Sequence, residues 1–433
     1  MSKRYSPQEE NIYSSACIQA LEQEYCSSCS AAVVSSCLVS SHGYGARVVS
    51  RIYHGGLRAV YTATVAAMLA NNMALPAYGA GTYVSAGKTV TGATITSGNS
   101  QIIYSAGVAN STTIYGGLQV VSSGGVATNT TMYQDGWQFV SSGGVASNTT
   151  INPGGQRVSA GGVANTTIIN SGGAQHLQSG GVANATTINS RGWQNVEGGG
   201  LANGTTINSL GWLNVASGGV ASNTTINSVG HLGVSSGGVA NETTIHSGGS
   251  QNVYVGGVVS DTTIHDGGLQ FVHAGGKTYN VRQHSGGKMF VIVAGGDGET
   301  YVSGTNASGE AFSLQNGKAS NFILYSGGSQ HVKSGGVASA TTINGGAQYL
   351  SSGGMASATT IDGGTQYVSA GGVASATTIH GGTQYVSAGG TALETTIHGG
   401  TQDVSAGGVA SNTTINEGGL QNVSSGGKAY NVM

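Results

Sequence analysis

The sequence predicts an all-β fold, a right-handed parallel β-solenoid with coils of about 18–19 residues. Three observations predict it. Near-identical units recur at that spacing, 77 of the 433 residues are glycine, and the apolar residues fall at fixed places within each unit. Interior glycine costs a helix about 1 kcal/mol relative to alanine, so this composition excludes an ordinary helical protein. A flexible linker would not need fixed apolar positions.

The period is clearest at the Thr-Thr-Ile step of each unit. One series of isoleucines is spaced 19 residues apart and a later series 18 apart, because the later turns are one residue shorter. The first series is Ile188, Ile207, Ile226, Ile245 and Ile264, the second is Ile343, Ile361, Ile379, Ile397 and Ile415, and less regular earlier copies lie at Ile114, Met132, Ile151 and Ile168. Such a period indicates coils that bury their apolar faces by stacking on one another.

Each unit contains two extended pieces, of the types SATTI and TQYV. Thr, Ile, Val and Tyr favour strands, and Gly-Gly pairs supply the positive φ that the corners need. The last residue of TQYV is almost always Val or Leu, so strand alternation points the glutamine two residues earlier inward as well. Leu213 and Leu232 replace that glutamine, which supports an inward position. We expect the inward amides to hydrogen-bond along the stack as a ladder, formed by Gln348, Gln366, Gln384 and Gln402.

The N-terminal region has the order of a secretory signal. Arginines precede a mostly apolar run at 59–70, and small residues follow it. We expect cleavage near Ala77, Gly79 or Ala80; the alternative is a short buried helix. All four cysteines precede that point, so the mature chain would be free of cysteine. Cys26 and Cys29 form a CxxC pair, but no second pair or nearby histidine pair completes a zinc site.

The predicted domain organisation has four parts. Residues 1–79 form an extended N-terminal segment with the signal, 80–276 the first repeat block, 277–325 an irregular interruption and 326–433 the second repeat block. The closing GGKAYNVM copies GGKTYNV at 275–281. A stack that stopped there would expose a strand edge, so we expect the natural polypeptide to continue beyond residue 433.

No pattern in the sequence indicates catalysis or a cofactor. It lacks the common nucleophile, zinc-protease and phosphate-loop motifs, and we find no carboxylate pair on neighbouring coils of the kind that a glycan-cleaving β-helix would use. A net charge of −2 argues against a nucleic-acid partner. His246 and His265 share one column, as do His380 and His398, but Asn and Asp fill the same column elsewhere, which favours solvated turn residues over a metal site. The GGDGE stretch at 295–299 is interpreted as a turn.

An outward stripe of aromatic and hydroxyl groups is the predicted contact surface. Its columns are Tyr349, Tyr367 and Tyr385, and beside them Thr365, Thr383 and Thr401; Trp137, Trp193 and Trp212 extend the second column. Low charge leaves little repulsion between two such rods, and many weak contacts add along their length. The alternative is that the rings only protect the outer face of the strands.

Units of the form SGGVASNTTINxGGxQxV over residues 81–433, with SGEAFSLQNGKASNFIL at 308–324, resemble the passenger domains of AIDA-type self-associating autotransporters. The resemblance implies a non-enzymatic bacterial surface adhesin, exported through the periplasm and outer membrane by a C-terminal β-barrel. It implies self-association with neighbouring cells, biofilm formation, and binding to a host-cell receptor or glycan. It also implies O-linked heptose, added by a heptosyltransferase to hydroxyls such as those of Ser369, Ser387 and Ser405. The alternative function is a secreted β-helical protein that binds or degrades polysaccharide.

Overall fold

The computed structural model describes residues 81–141, 143–159, 161–296 and 300–433. These residues are all-β, and this part of the chain contains no helix. Within the described ranges, no helix is long and apolar enough to cross a membrane. The predicted cleavage residues Ala77, Gly79 and Ala80 and the four cysteines lie outside them.

Each coil contains up to three short strands, which we name after the residue type that each buries. The glutamine strands form one sheet of 18 parallel strands, which confirms the predicted parallel solenoid. They are Gly81–Val84, Ser100–Ile103, Leu118–Val121, Gly136–Ser141, Gly154–Ser159, Gly173–Leu177, Trp193–Val196, Trp212–Val215, His231–Val234, Ser250–Val253, Leu269–Val272, Lys288–Val293, Ser329–Val332, Ala347–Leu350, Thr365–Val368, Thr383–Val386, Thr401–Val404 and Leu420–Val423.

The other two strands of each coil are the alanine strand and the isoleucine strand, and in five coils they form one continuous strand. The alanine strands are Thr89–Thr91, Val108–Asn110, Val126–Thr128, Val182–Asn184, Leu201–Asn203, Val258–Ser260, Lys318–Ser320, Val337–Ser339, Met355–Ser357, Val373–Ser375, Thr391–Leu393, Val409–Ser411 and Lys428–Tyr430. The isoleucine strands are Thr94–Thr96, Thr113–Tyr115, Thr131–Tyr133, Thr187–Ile188, Thr206–Ile207, Thr263–Ile264, Ile323–Tyr325, Thr342–Asn344, Thr360–Ile361, Thr378–Ile379, Thr396–Ile397 and Thr414–Ile415. The continuous strands are Val145–Ile151, Val163–Ile169, Val220–Ile226, Val239–Ile245 and Lys277–Gln283.

Equivalent residues of consecutive coils are direct neighbours. Gln366 pairs with Gln384 and Tyr367 with Tyr385, in a parallel register without a shift. Because the register is kept from coil to coil within each repeat block, a sequence column there becomes a column in space; the register shifts only at the insert between the blocks. The core follows from this: Val368, Ala374 and Ile379 are each 0% exposed, and their equivalents continue the same apolar core through the stack.

One repeat position assigned from the sequence is wrong. Ile168 does not occupy the buried isoleucine column, because Ile151 pairs with Ile169 and Thr150 with Ile168. Ile169 is fully buried, whereas Ile168 is 38% exposed. The sequence NTTII offers two isoleucines in succession, and only the register of the continuous strand Val163–Ile169 decides which one points inward.

The Gly-Gly corners are required for two different reasons. Gly389 has a φ of 85°, in the left-handed region that side chains disfavour. Gly390 has no such φ, but a Cβ there would overlap the carbonyl oxygen of Val368 in the preceding coil. The first glycine therefore turns the chain, and the second lets adjacent coils approach closely.

An antiparallel insert interrupts the stack within the predicted irregular segment 277–325. The parallel pairing continues through Lys288–Val293. Tyr301–Thr305 then pairs antiparallel with Ala311–Gln315, which itself pairs antiparallel with Lys318–Ser320. Parallel stacking resumes where Lys318–Ser320 meets the next alanine strand.

Candidate functional site

The outward columns are held in place by the inward glutamine ladder. Gln366 donates from Nε2 to Gln348 Oε1 at 2.7 Å, and its own Oε1 accepts from Gln384 Nε2 at 2.6 Å. The ladder predicted from sequence is therefore confirmed. Sequence reasoning missed its second half: the first Thr of each Thr-Thr-Ile step also points inward, and Thr377 Oγ1 donates to Gln366 Oε1 at 3.3 Å.

The ladder is broken where leucine replaces glutamine. Thr224 and Thr243 follow Leu213 and Leu232 by 11 residues, the spacing at which other threonines meet a glutamine. Their buried hydroxyls therefore have no acceptor among the described residues. Gln251 Nε2, at the start of the next run of glutamines, is likewise buried without a partner in the described part of the chain. The coils with Leu213 and Leu232 therefore contain buried polar groups without partners, which lowers the stability of this part of the solenoid.

The predicted aromatic stripe forms a stacked column on the outer face of the glutamine sheet. Ring centroids of Tyr349 and Tyr367 are 4.9 Å apart, and those of Tyr367 and Tyr385 are 5.4 Å apart, with near-parallel planes. His331 extends the column at 4.6 Å from Tyr349. The half-buried residues Thr365, Thr383 and Thr401 lie in register beside the rings. Tyr367 is 37% and Tyr385 is 41% exposed, so the ring column is accessible to a partner.

The tryptophans lie in earlier glutamine strands, at the outward position that Thr365 occupies, one residue before the inward glutamine or leucine. Trp137 stacks with Phe139 at 5.8 Å, and its ring covers Gly155 of the next coil. Trp193 meets the ring of His176 edge-on at 4.7 Å. Burial, together with the positive charge of Arg157, lowers the pKa of His176. This imidazole is therefore neutral at neutral pH and behaves as part of an aromatic surface.

Three histidines, not two, share the first histidine column. His246 and His265 stack with centroids 5.1 Å apart, and His284 continues the stack at 5.0 Å from His265. Sequence reasoning missed His284 because its unit reads VRQH instead of TTIH. Desolvation and the two neighbouring imidazoles lower the pKa of His265. Within the described ranges, no group of three His, Cys, Asp or Glu side chains is arranged to hold a metal ion.

The second histidine column also lies in exposed turns. His380 Nδ1 is 2.7 Å from Asp362 Oδ1, and the rings of His380 and His398 are 5.3 Å apart at a tilt. Asn416 Nδ2 donates to His398 Nδ1 at 3.2 Å. Asp362, His380, His398 and Asn416 thus occupy equivalent turn positions, where Asp362 bonds to His380 and Asn416 to His398 while the two imidazoles meet ring to ring.

The serines predicted to carry glycans lie at the corner after each glutamine strand. Ser369, Ser387 and Ser405 are half-buried, and each is followed by an exposed alanine. Their backbone amides bond to the coil before them, as Ser387 N does to Val368 O at 3.0 Å. The strand register therefore places these three hydroxyls in one column along the rod.

One turn column carries carboxylates on consecutive coils. Glu242 and Asp261 occupy the same left-handed turn position, with φ of 54° and 55°. Both side chains are exposed, and Asp261 accepts a hydrogen bond from Asn280 at 3.3 Å. They lack the apolar pocket that sets one carboxyl apart as the acid of a glycoside hydrolase.

The described residues form a repetitive parallel solenoid whose outer face carries stacked aromatic side chains beside polar columns. The family model for the adhesin of the bacterial autotransporter system, probable stalk, matches residues 134–192 and 303–364. A solved hyper-glycosylated fragment of TibA, glycosylated by TibC, is 35% identical, with 81% of this chain and 100% of that chain covered and a TM-score of 0.36. No curated protein sequence matches. On the family model and the sequence identity, the chain belongs to the AIDA family of autotransporter adhesins, whose passengers are surface-exposed or secreted.

Proposed function

We propose that the chain mediates adhesion between bacterial cells by pairing with copies of itself on neighbouring cells, leading to aggregation and biofilm formation, and that it also binds host cells. The observation that carries self-association is the accessible ring column at Tyr349, Tyr367 and Tyr385, flanked by a column of threonines. Tyrosine offers a large contact area with a hydrogen-bonding end at little cost in conformational entropy. Because the column repeats along the rod, weak contacts add up.

The test introduces like charges into the ring column. Tyr367→Asp with Tyr385→Asp should abolish the settling of cells that display the protein, because two such surfaces would repel each other. The matched control is Tyr115→Asp with Tyr133→Asp. These tyrosines also stack, at 5.2 Å, and are 39% and 36% exposed, but they are the last residues of two isoleucine strands and not part of the glutamine sheet. Unchanged settling in the first variant, with display confirmed by antibody, would move the interface to another face.

We further propose that a heptosyltransferase modifies repeat hydroxyls, among them Ser369, Ser387 and Ser405. Two facts support this: the related TibA fragment is glycosylated by TibC, and these hydroxyls form a regular, partly accessible column. Peptide mapping of protein from a host with the enzyme should show added heptose, and Ser→Ala substitution should remove it from each site. Unmodified peptides in that host would refute the proposal.

We propose export through the periplasm and outer membrane, with the signal removed near Gly79. The support is the order of basic, apolar and small residues at 47–80 and the absence of cysteine from 38–433, since a disulfide formed early would obstruct passage through a pore. The exported chain should begin between Tyr78 and Gly81 by N-terminal sequencing. Mature protein that retains Cys17 would contradict this route.

The proposed role is binding without catalysis. Glu242 and Asp261 are carboxylates in equivalent turns of consecutive coils, and both are solvent-exposed. Purified protein should release no reducing ends from a panel of polysaccharides. Release that disappears in Glu242→Gln would instead establish the alternative function.

A further inference from the structure

The two predicted repeat blocks meet at a junction where only part of the parallel stack continues. We call it the block junction and define it by the strands Lys277–Gln283, Lys288–Val293, Ile323–Tyr325 and Ser329–Val332. The glutamine sheet crosses this junction, because residues 290–293 pair with Ser329–Val332. The isoleucine strands of the second block instead form a separate six-stranded sheet that begins at Ile323–Tyr325. Among the described strands, the glutamine side of the junction is therefore bridged by strand pairing and the isoleucine side is not.

The bonds that join consecutive coils elsewhere also stop on the isoleucine side. In the turns that follow the isoleucine strands, Gly248 N donates to Gly267 O at 2.9 Å and Gly267 N donates to Gly286 O at 3.0 Å. This series ends at Gly286 in the described part of the chain. An open depression of about 420 Å³ lies there, lined by residues from both sides of the junction, among them Ser285 and Ser326. The turns on this side are therefore not stacked on one another.

The buried glutamine ladder is interrupted at the same place. Met289 occupies the ladder position beside Gln270 and is fully buried. Gln270 Oε1 on one side of it and Gln330 Nε2 on the other are buried without a partner among the described residues. The block junction therefore lacks the amide-to-amide hydrogen bond that links neighbouring coils within the second block.

One side chain crosses the unpaired isoleucine side. Gln283 is 1% exposed and lies beside Ile264, in the column that isoleucine fills in other coils. Its Nε2 donates to Gly287 O at 2.8 Å in its own turn and to Ile323 O at 3.0 Å, 40 residues later in the chain. Both amide hydrogens are used in this way. The Ile323 carbonyl, on the first strand of the separate sheet, thus receives a side-chain donor where strand pairing supplies none.

We propose that the block junction is a hinge and that Gln283 is the latch that holds it closed. The glutamine sheet is the hinge side, since its strand pairing is continuous, and the isoleucine side is where the blocks come apart. A solenoid is held together by the interactions between neighbouring coils, so an interface with few of them opens before the others. Opening lets one block tilt against the other while both stay folded.

A closed junction keeps the outward aromatic residues of the glutamine sheet on one surface. Phe271 stacks with Phe290 at 4.1 Å, and beyond the junction His331 stacks with Tyr349 at 4.6 Å. The latch therefore decides whether a partner meets one long surface or two shorter ones, and weak contacts add up only along a surface that can be engaged at once. The hinge is a property of the rod itself and does not depend on which partner that surface binds.

The test is hydrogen–deuterium exchange of the full chain in two variants. Gln283→Glu keeps the shape of the side chain but turns an oxygen towards the two carbonyl oxygens. Gln283→Ile supplies the residue of the neighbouring coils and removes both hydrogen bonds. Amides of 277–287 and 322–328 should exchange at least about tenfold faster in Gln283→Glu, and should accelerate less in Gln283→Ile. Amides of 288–293 and 329–332, on the hinge side, should change little.

A second measurement shows whether the effect is local. All three tryptophans of the chain lie in the first repeat block, at 137, 193 and 212, so their fluorescence follows the unfolding of that block. Its urea midpoint should be the same in both variants as in the parent chain. A lowered midpoint would overturn the proposal, because the substitution would then destabilise the solenoid as a whole.

The exchange pattern separates the latch from a packing role. If Gln283→Ile exchanges faster than Gln283→Glu, side-chain shape and not hydrogen bonding holds the junction, and the latch is overturned. Equal acceleration on both sides of the junction overturns the hinge, since the blocks would then separate completely. Unchanged exchange in both variants overturns the hinge and the latch together.

Discussion

Removing a single rung of the glutamine ladder should destabilise the solenoid locally, and Gln366→Leu tests this directly. Gln366 makes three hydrogen bonds inside the core, to Gln348, Gln384 and Thr377. After substitution, Gln384 Nε2 and the Thr377 hydroxyl would be buried without partners. Gln348 Oε1 would still accept from Thr359 at 3.3 Å.

The expected magnitude follows from these two orphaned groups. Each buried polar group left without a partner costs about 1–3 kcal/mol, or about 2–6 kcal/mol together. The added apolar burial of leucine offsets about 1–2 kcal/mol of this. The net loss in the free energy of unfolding should therefore lie between about 0 and 5 kcal/mol, with a midpoint of about 2–3 kcal/mol. Adding Thr377→Val removes one orphaned hydroxyl and should restore about 1–2 kcal/mol, because replacing both partners by apolar groups is nearly neutral.

The assay must report on individual coils, since a repeat protein does not unfold as a single unit. Hydrogen–deuterium exchange of peptides from 347–404 should accelerate in Gln366→Leu, and urea unfolding followed by circular dichroism should shift to lower denaturant. Peptides from 118–177 serve as an internal control and should exchange as in the parent chain. Far-UV spectra should confirm that both variants keep their β-structure.

Two results would refute the reasoning. Unchanged exchange in Gln366→Leu would show that the ladder contributes no net stability beyond its apolar equivalent. A double variant less stable than Gln366→Leu would show that the Thr377 hydroxyl has another role. Either result would also remove the energetic argument that the coils with Leu213 and Leu232 are irregular at a cost.

Three further predictions follow from the same structure. Leu213→Gln should stabilise the first block by about 1 kcal/mol, because the new amide reaches the ladder and gives a buried hydroxyl its acceptor; thermal unfolding measures this. Gly390→Ala should lower the thermal midpoint by several degrees, since its Cβ meets the Val368 carbonyl, while Gly381→Ala, with nothing within 4 Å, should change it little. Stability should fall as the pH drops below about 6.5, where the unfolded chain takes up protons that His265, with its lowered pKa, resists in the folded state. His265→Asn should make this decline shallower.

Each of these three predictions has a control or an outcome that would contradict it. Asparagine is the natural occupant of the His265 column in the coils of Asn208 and Asn227, so His265→Asn should fold. The same pH profile with and without the substitution would contradict the proposed cause. Equal effects of Gly390→Ala and Gly381→Ala would show that close approach between coils is not the reason for the second corner glycine. A less stable Leu213→Gln would show that apolar burial outweighs the completed ladder at that site.

The inward or outward direction of a side chain was predictable from the sequence wherever it follows from strand alternation. Strand alternation and repetition together predict that Gln366 points inward and Tyr367 outward, because in a parallel in-register stack each position repeats its environment. The structure agrees at both residues. The outward columns were only partly predictable: Tyr349, Tyr367 and Tyr385 were predicted to share a column, but His331, which extends it, was not. His331 joins that column because its strand pairs with the strand of Tyr349.

The sequence by itself determined the repeat length, the strand-forming composition and the inward or outward side of most columns, since these depend on local periodicity. Only the tertiary structure decided which of Ile168 and Ile169 is buried, because two adjacent candidates differ by one step of strand register. It also joined His284 to the histidine column. Where glutamine is present, the structure connected the buried threonine of a Thr-Thr-Ile step to the glutamine 11 residues earlier, as in Thr377 to Gln366. Such contacts pass between strands or across the interior of the solenoid, and their partners are set by the folding of the coil and not by neighbouring residues in sequence.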